Sequence, residues 1–181
     1  MRLFVAIDFP DSIKDRLAAM QARIPGARWS GHHQLHLTLF FIGETDRVDS
    51  VQHALAGVQA QPFPLVLKGV GTFPSGDGRP PSVLWVGLEA PPALRVLQQR
   101  VSEVLVNEGY TPDKRPFNPH VTLARLKPAD HQQQVAAFLR QHHEFEAGPV
   151  AVSDFVLYAS ELTPQGARYT RQAIYPLHDR K

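Results

Sequence analysis

The tetrapeptide His36-Leu37-Thr38-Leu39 returns as His120-Val121-Thr122-Leu123, and this repetition constrains the chain more than any other feature. Both copies lie in short apolar runs, Leu35–Ile42 and His120–Leu126, rich in β-forming residues, and these read as strands. Successive side chains on a strand point to opposite faces. Each copy therefore offers a His–Thr pair to one side and an apolar anchor to the other. With nine histidines and seven threonines in 181 residues, of which 43% are apolar, about 0.15 such tetrapeptides are expected by chance. Two copies in matching contexts point to a shared site.

The bulk numbers set limits. The length suits one domain, or two half-sized lobes sharing a core. The chain has no cysteine, which excludes a disulfide framework, a thiolate zinc site and a cysteine nucleophile. The apolar run at the start is interrupted by Asp8 and is too short for a signal peptide. No run approaches the length of a membrane span, so a cytoplasmic protein with no membrane association is expected. A net charge of +2, spread over both halves, does not suit a protein that coats long nucleic acid. It permits one that handles one or two phosphates in a cleft, and charge alone decides nothing further.

Along the chain, Leu3–Ile7 reads as a buried strand. A helix capped by Asp11 or Ser12 follows, its stripe Ile13, Leu17, Met20 and Ile24 ending at Pro25-Gly26. A link with Trp29 leads to the first His-x-Thr strand, ended by Gly43. Then come a helix over Asp46–Gln59, an extended segment Pro62–Phe73 and a turn-rich loop Pro74–Ser82. The pattern restarts with strand Val83–Leu88, helix Ala93–Glu108, the second His-x-Thr strand, helix Asp130–Gln141 and extended Val150–Ala159. Thr163–Gly166 turns into a last strand, Tyr169–Leu177. Each half thus runs strand, helix, His-x-Thr strand, helix, strand, which suggests a duplicated unit. No glycine-rich phosphate loop follows a strand, so dinucleotide-binding folds lose support. The expectation is an α+β fold over residues 1–181. It is a single bilobal domain of two pseudo-twofold lobes, each a mostly antiparallel sheet backed by helices, facing a central cleft.

Two imidazoles in one cleft can divide acid and base work, because free imidazole titrates near pH 6.5. A phosphodiester needs both jobs done on opposite sides of phosphorus. Threonine hydroxyls on the same face can donate to the non-bridging oxygens. No metal or other cofactor is needed. A strained cyclic phosphate suits a site with only acid, base and hydrogen-bond donors.

Several segments together resemble the two-histidine (2H) phosphoesterases. They are Trp29, the run His36–Glu44, Gly71-Thr72-Phe73-Pro74 followed by Val83–Leu88, Arg115–Arg125, Tyr169 and Tyr175-Pro176-Leu177. Within that superfamily the chain is most similar to the bacterial and archaeal RNA 2',3'-cyclic phosphodiesterases, the LigT-like 2'-5' RNA ligases. The resemblance implies opening of a 2',3'-cyclic phosphate at an RNA end to a 2'-phosphate. It implies His36 as proton donor to the 3' oxygen, His120 as proton acceptor from water, and 2'-5' joining of RNA ends in reverse. The two motifs are nearly equivalent, so the sequence itself does not assign acid and base. A monomer acting on RNA ends or nucleotides is expected. Rival readings are a 2H hydrolase of another cyclic nucleotide phosphate or of a 2'-5' oligonucleotide, a non-catalytic RNA-end-binding module, and a metal-dependent hydrolase.

Further candidates are weaker. Phe40 falls on the face of His36 and Thr38 by alternation and could stack on a base. Arg125 matches a phosphate-contacting arginine of the family, yet alternation puts it opposite His120 unless a bulge intervenes. Arg79 and Arg115 read as solvated charges. His32 and His36 have the i,i+4 spacing of a metal pair, but that pairing needs a helix and a strand is expected there. His131 with His142-His143 reads as a polar surface, and Pro74–Ser82 as an ordinary surface loop rather than a lid over the cleft.

Overall fold

The computed structural model describes residues 1–74 and 78–179. Its strands are β1 (Arg2–Asp8), β2 (Ala27–Trp29), β3 (His36–Glu44), β4 (Phe63–Phe73), β5 (Val83–Glu89), β6 (His120–Leu126), β7 (Glu146–Val152), β8 (Asp154–Thr163) and β9 (Gly166–Pro176). The helices are α1 (Asp11–Ala18), α2 (Val48–Ala56), α3 (Pro92–Asn107) and α4 (Gln132–His142), with a 3-10 turn over His32–Gln34. Every recorded strand pairing is antiparallel, in the order β7-β4-β5-β6-β3-β1-β8-β9, with β2 on β6. The two His-x-Thr strands, β3 and β6, are central. Their recorded pairing is the single pair Leu37↔Val121, the same position in each motif. Beyond that pair the two strands part. That opening is the cleft.

One face of the sheet carries the main core. Leu3, Val5 and Ile7 from β1, Leu37 and Leu39 from β3, and Val121 and Leu123 from β6 are all at most 3% exposed. The stripes of the helices close over this face, with Leu17 of α1, Leu55 of α2, Leu97 and Val101 of α3 and Phe138 of α4. The alternate residues of β1, Phe4 and Ala6, form a small cluster on the cleft face with Val156, Tyr158 and Tyr169. Period-two alternation thus sends one set of side chains to the core and the other to the site.

Both motif strands break that alternation at equivalent places, and β3 breaks it a second time at Ile42, between the pairs Phe4↔Phe41 and Leu3↔Gly43. On β3, Val5 pairs with Phe40 and Ala6 with Thr38, leaving Leu39 as an extra residue. On β6, Leu84 pairs with Ala124 and Trp85 with Thr122, leaving Leu123 extra. Each is a β-bulge, which puts two consecutive residues on one side and reverses the facing of everything after it.

The lobes are not the two halves of the sequence. The first lobe contains β3, β1, β8 and β9; the second contains β6, β5, β4 and β7. The first half of the chain thus sends β4 to the second lobe, and the second half sends β8 and β9 to the first. The expected single strand Val150–Ala159 is in fact two, broken at Ser153, because β7 pairs with β4 while β8 pairs with β1 at the opposite side of the sheet. The first helix stops at Ala18 rather than reaching Ile24, though Met20 and Ile24 remain buried. Neither Asp11 nor Ser12 caps it: Pro10 occupies that position and no side chain bonds the helix end. The link before the first motif contains β2 and the 3-10 turn. Part of the expected loop Pro74–Ser82, residues 75–77, lies outside the described residues.

Candidate active site

A cleft of about 700 Å³ opens over the splayed strands and is lined by His36, Thr38, His120 and Thr122 together. The structure thus unites the two motifs in one site. The same local device holds both imidazoles. His36 Nδ1 lies 2.6 Å from the carbonyl oxygen of Gln34, and His120 Nδ1 lies 2.8 Å from that of Asn118, each two residues upstream. A carbonyl only accepts, so each Nδ1 carries the hydrogen. That leaves Nε2 as the working nitrogen on both rings, the tautomer fixed by the bond on the far side. Thr38 Oγ1 lies 2.9 Å from His36 Nε2 and donates to it when the ring is neutral.

The surroundings of the two rings differ. His36 stands among aromatics, with Phe4 at 4.9 Å and Tyr169 edge-on at 5.4 Å between ring centroids. Its cross-strand neighbour on β1 is Asp8. That carboxylate is bound 2.7 Å from Lys14 Nζ and also accepts from Arg171. Burial alone would raise the Asp8 pKa, but the two cations hold it below the usual carboxylate value. His120 instead faces Gly87 across β5 and meets Phe73 edge-on at 5.0 Å. Phe73 rests on Trp85 at 5.2 Å, and the indole lies over Gly71 and Gly87. A Cβ on Gly71 would stand 2.2 Å from that ring, so only glycine leaves the seat open.

Desolvation lowers the pKa of both imidazoles. His36 is pushed down to about 4, with the neighbouring charges of Asp8, Lys14 and His120 acting as smaller effects. His120 is also lowered by burial first, and then by the guanidinium groups of Arg125 and Arg115. The expectation of one charged and one neutral ring near neutrality does not hold for the protein alone, because both sites are desolvated. An anion between the rings would reverse this.

The bulges place the remaining candidates. Phe40 is 5% exposed and packed in the main core, so it does not line the cleft and cannot stack on a base. Phe41 takes the cleft-facing position instead, 52% exposed, with the Arg2 guanidinium 5.1 Å from its ring centroid. Arg125 does line the cleft, since the bulge at Leu123 supplies the reversal that alternation lacked. Arg2, Arg28 and Gln34 also line it and went unnoticed in the sequence, where nothing ties β2 or the first residues to the motifs. No aspartate or glutamate among the described residues lines the cleft.

Away from the cleft, Arg115 is paired with Asp113 on the surface. His32 bonds Asp15, and His143 bonds the Arg140 carbonyl. His131, expected at the surface, is 2% exposed at the start of α4, enclosed by the packing of that helix. Among the described residues no group of three His, Asp or Glu side chains is placed to hold a metal ion, and no helix is long and apolar enough to cross a membrane.

A splayed antiparallel sheet that turns a His–Thr pair from each central strand into one cleft is the arrangement of the two-histidine phosphoesterases. The chain belongs to the 2'-5' RNA ligase superfamily, whose family model matches residues 9–163. It is 34% identical to an RNA 2',3'-cyclic phosphodiesterase of Archaeoglobus fulgidus, over 97% of this chain and 99% of that protein. It is 36% identical to one of Thermus thermophilus, over 94% of this chain and 87% of that protein. Among solved structures, LigT of E. coli in complex with 3'-AMP superimposes with a TM-score of 0.77 at 26% identity, covering 98% of both chains.

Proposed function

We propose that the protein is an RNA 2',3'-cyclic 3'-phosphodiesterase that opens a terminal 2',3'-cyclic phosphate to a 2'-phosphate. Water attacks phosphorus, His120 Nε2 takes its proton, the bond to the 3' oxygen breaks, and His36 Nε2 gives that oxygen a proton. Thr38, Thr122 and Arg125 donate to the non-bridging oxygens, where charge gathers. Phe41, in place of Phe40, carries the base. With a 5'-hydroxyl in place of water, the reverse reaction joins two RNA ends through a 2'-5' linkage.

The observation that carries this reading is the matched pair of imidazoles, each pinned through Nδ1 to a backbone carbonyl and lining one cleft beside a threonine. The names of the relatives support the substrate class. Burial holds His36 neutral in the protein alone, so in this scheme it gains its proton as the phosphate anion enters. We read residues 1–181 as one domain built from a duplicated unit, working as a cytoplasmic monomer with no cofactor.

The low pKa of His36 favours a second reading in which the roles are exchanged, His36 as base and His120 as acid. The test of the function is product analysis on an oligonucleotide 2',3'-cyclic phosphate beside ADP-ribose 1'',2''-cyclic phosphate. A 2'-phosphate from the first is expected, insensitive to EDTA. Turnover confined to the second compound would overturn the assignment.

A further inference from the structure

The site described so far accounts for one phosphate, yet the cleft continues past it along β2 and holds a second, unexplained cation. Arg28 on β2 is paired directly with Arg125 on β6. Residues opposite one another in an antiparallel pair project from the same face, and like charges so placed repel. Both arginines are exposed side chains of the cleft wall. Among the described residues, no ion pair or hydrogen bond joins either guanidinium to a carboxylate, and no carboxylate lines the cleft. A structural role would give at least one of the two an acidic partner. Nothing in the fold neutralises this pair.

Arg28 is also held in place. The β2 backbone is tied to β6 through Ser30 N to Leu123 O at 2.8 Å, Ser30 Oγ to Thr122 O at 3.0 Å, and Lys127 N to Gly26 O at 2.9 Å. Its Nη2 lies against Gly166 at the β8–β9 turn, where a Cβ would stand only 2.8 Å away. The glycine thus leaves the guanidinium its place between the two lobes. Arg125 lies three residues beyond Thr122, roughly 10 Å along an extended strand, and Arg28 is about one strand spacing, roughly 4.8 Å, further out. Arg125 lines the cleft with His120 and Thr122, and the mechanism proposed above gives it to the reacting phosphate. Arg28 is thus the cation next to Arg125 on the cleft wall.

We propose that Arg28, set beside Arg125 at the outer end of the cleft, is a second phosphate subsite. It binds the phosphodiester on the 5' side of the terminal nucleotide, so that the preferred substrate is an RNA chain rather than a mononucleotide. This rests on the phosphodiesterase reading and names the residue of that same site that distinguishes a chain from a mononucleotide. A guanidinium is suited to it, since its forked donors match two phosphate oxygens.

The test compares kcat/KM for adenosine 2',3'-cyclic phosphate with that for the dinucleotide ApA ending in a 2',3'-cyclic phosphate, in wild type, Arg28→Gln and Arg28→Lys. Wild type favours the dinucleotide at least tenfold at low salt, and the preference shrinks as salt rises. Arg28→Gln lowers that ratio at least fivefold, chiefly through KM of the dinucleotide, and Arg28→Lys restores part of it. A ratio equal in wild type and Arg28→Gln overturns the subsite while leaving the enzyme reading intact. Failure of wild type to turn over either compound removes the enzyme reading, and the subsite with it.

Discussion

The two motif strands share a design and differ in what stands behind it. In both, a histidine is pinned through Nδ1 to the carbonyl two residues upstream, a threonine follows on the same face, and a bulge comes next. Behind His36 there is a charged network of Asp8, Lys14 and Arg171 and an aromatic wall. Behind His120 there is an apolar cluster, Phe73 tilted against Trp85, whose indole lies over two glycines. The fold therefore repeats the geometry of proton transfer but gives the two imidazoles unlike surroundings. Two like groups with unlike environments are what a reaction with distinct acid and base steps requires.

The largest expected effect tests whether the two rings have separate jobs. Either His36→Ala or His120→Ala lowers kcat by about 10²- to 10⁴-fold, the usual scale of one proton-transfer group. A cyclic substrate with sulfur in place of the bridging 3' oxygen sharpens this. A thiol titrates near pH 8.5 and leaves without a proton, so it rescues only the variant that has lost the acid. Rescue of His36→Ala supports the proposed order. Rescue of His120→Ala instead would exchange the roles, and equal rescue would remove the division of labour.

A smaller effect separates the two supports. Gly71→Ala forces the indole of Trp85 to move, costing about 1–3 kcal/mol of stability and, through Phe73, about 10- to 100-fold in activity. On the other side, Asp8→Asn leaves Lys14 charged with its side chain only 10% exposed, and costs about 3 kcal/mol in a denaturant titration at pH 7. The Asp8 pKa is lowered in the fold, so the stabilisation is full above the unfolded value near 3.9. It is lost as pH falls through the folded value. Wild type and Asp8→Asn should therefore converge in stability in acid, whereas the Gly71→Ala deficit should persist.

The smallest effect is a displacement on the pH axis. Both imidazoles have lowered pKa values, and kcat/KM reports the free protein. Activity falls on the acid side as the acceptor is protonated, and on the alkaline side as the donor loses its proton. The bell in kcat/KM should therefore peak below pH 6.5. A maximum above pH 7 would show that burial does not govern these rings.

Much of this arrangement was legible in the sequence, and the exceptions have physical causes. The repeated tetrapeptide gave both strands, their polar faces and the cleft, because alternation holds as far as Thr38 and Thr122. Beyond that point strict alternation misplaced Phe40 and left Arg125 without a route to the site. A signal for the bulges was present: Leu39-Phe40 and Leu123-Ala124 are consecutive apolar pairs at the same offset in the two copies, where alternation calls for one polar residue. The break at Ser153 had a weaker signal, the polar pair Ser153-Asp154 between two apolar runs, with no glycine or proline at the break itself. Arg28 and Arg2 reach the cleft only through long-range pairing, which local pattern does not encode.

The pairing of β8 with β1 also bears on how the chain matures on the ribosome. β1 emerges well before its second partner, β8, which is made from residues 154–163. At about 5–20 residues per second, synthesis leaves that apolar edge uncovered for on the order of ten seconds. An interrupted translation product would carry it permanently, and holdase chaperones should capture stalled chains ending before β8 in preference to released ones.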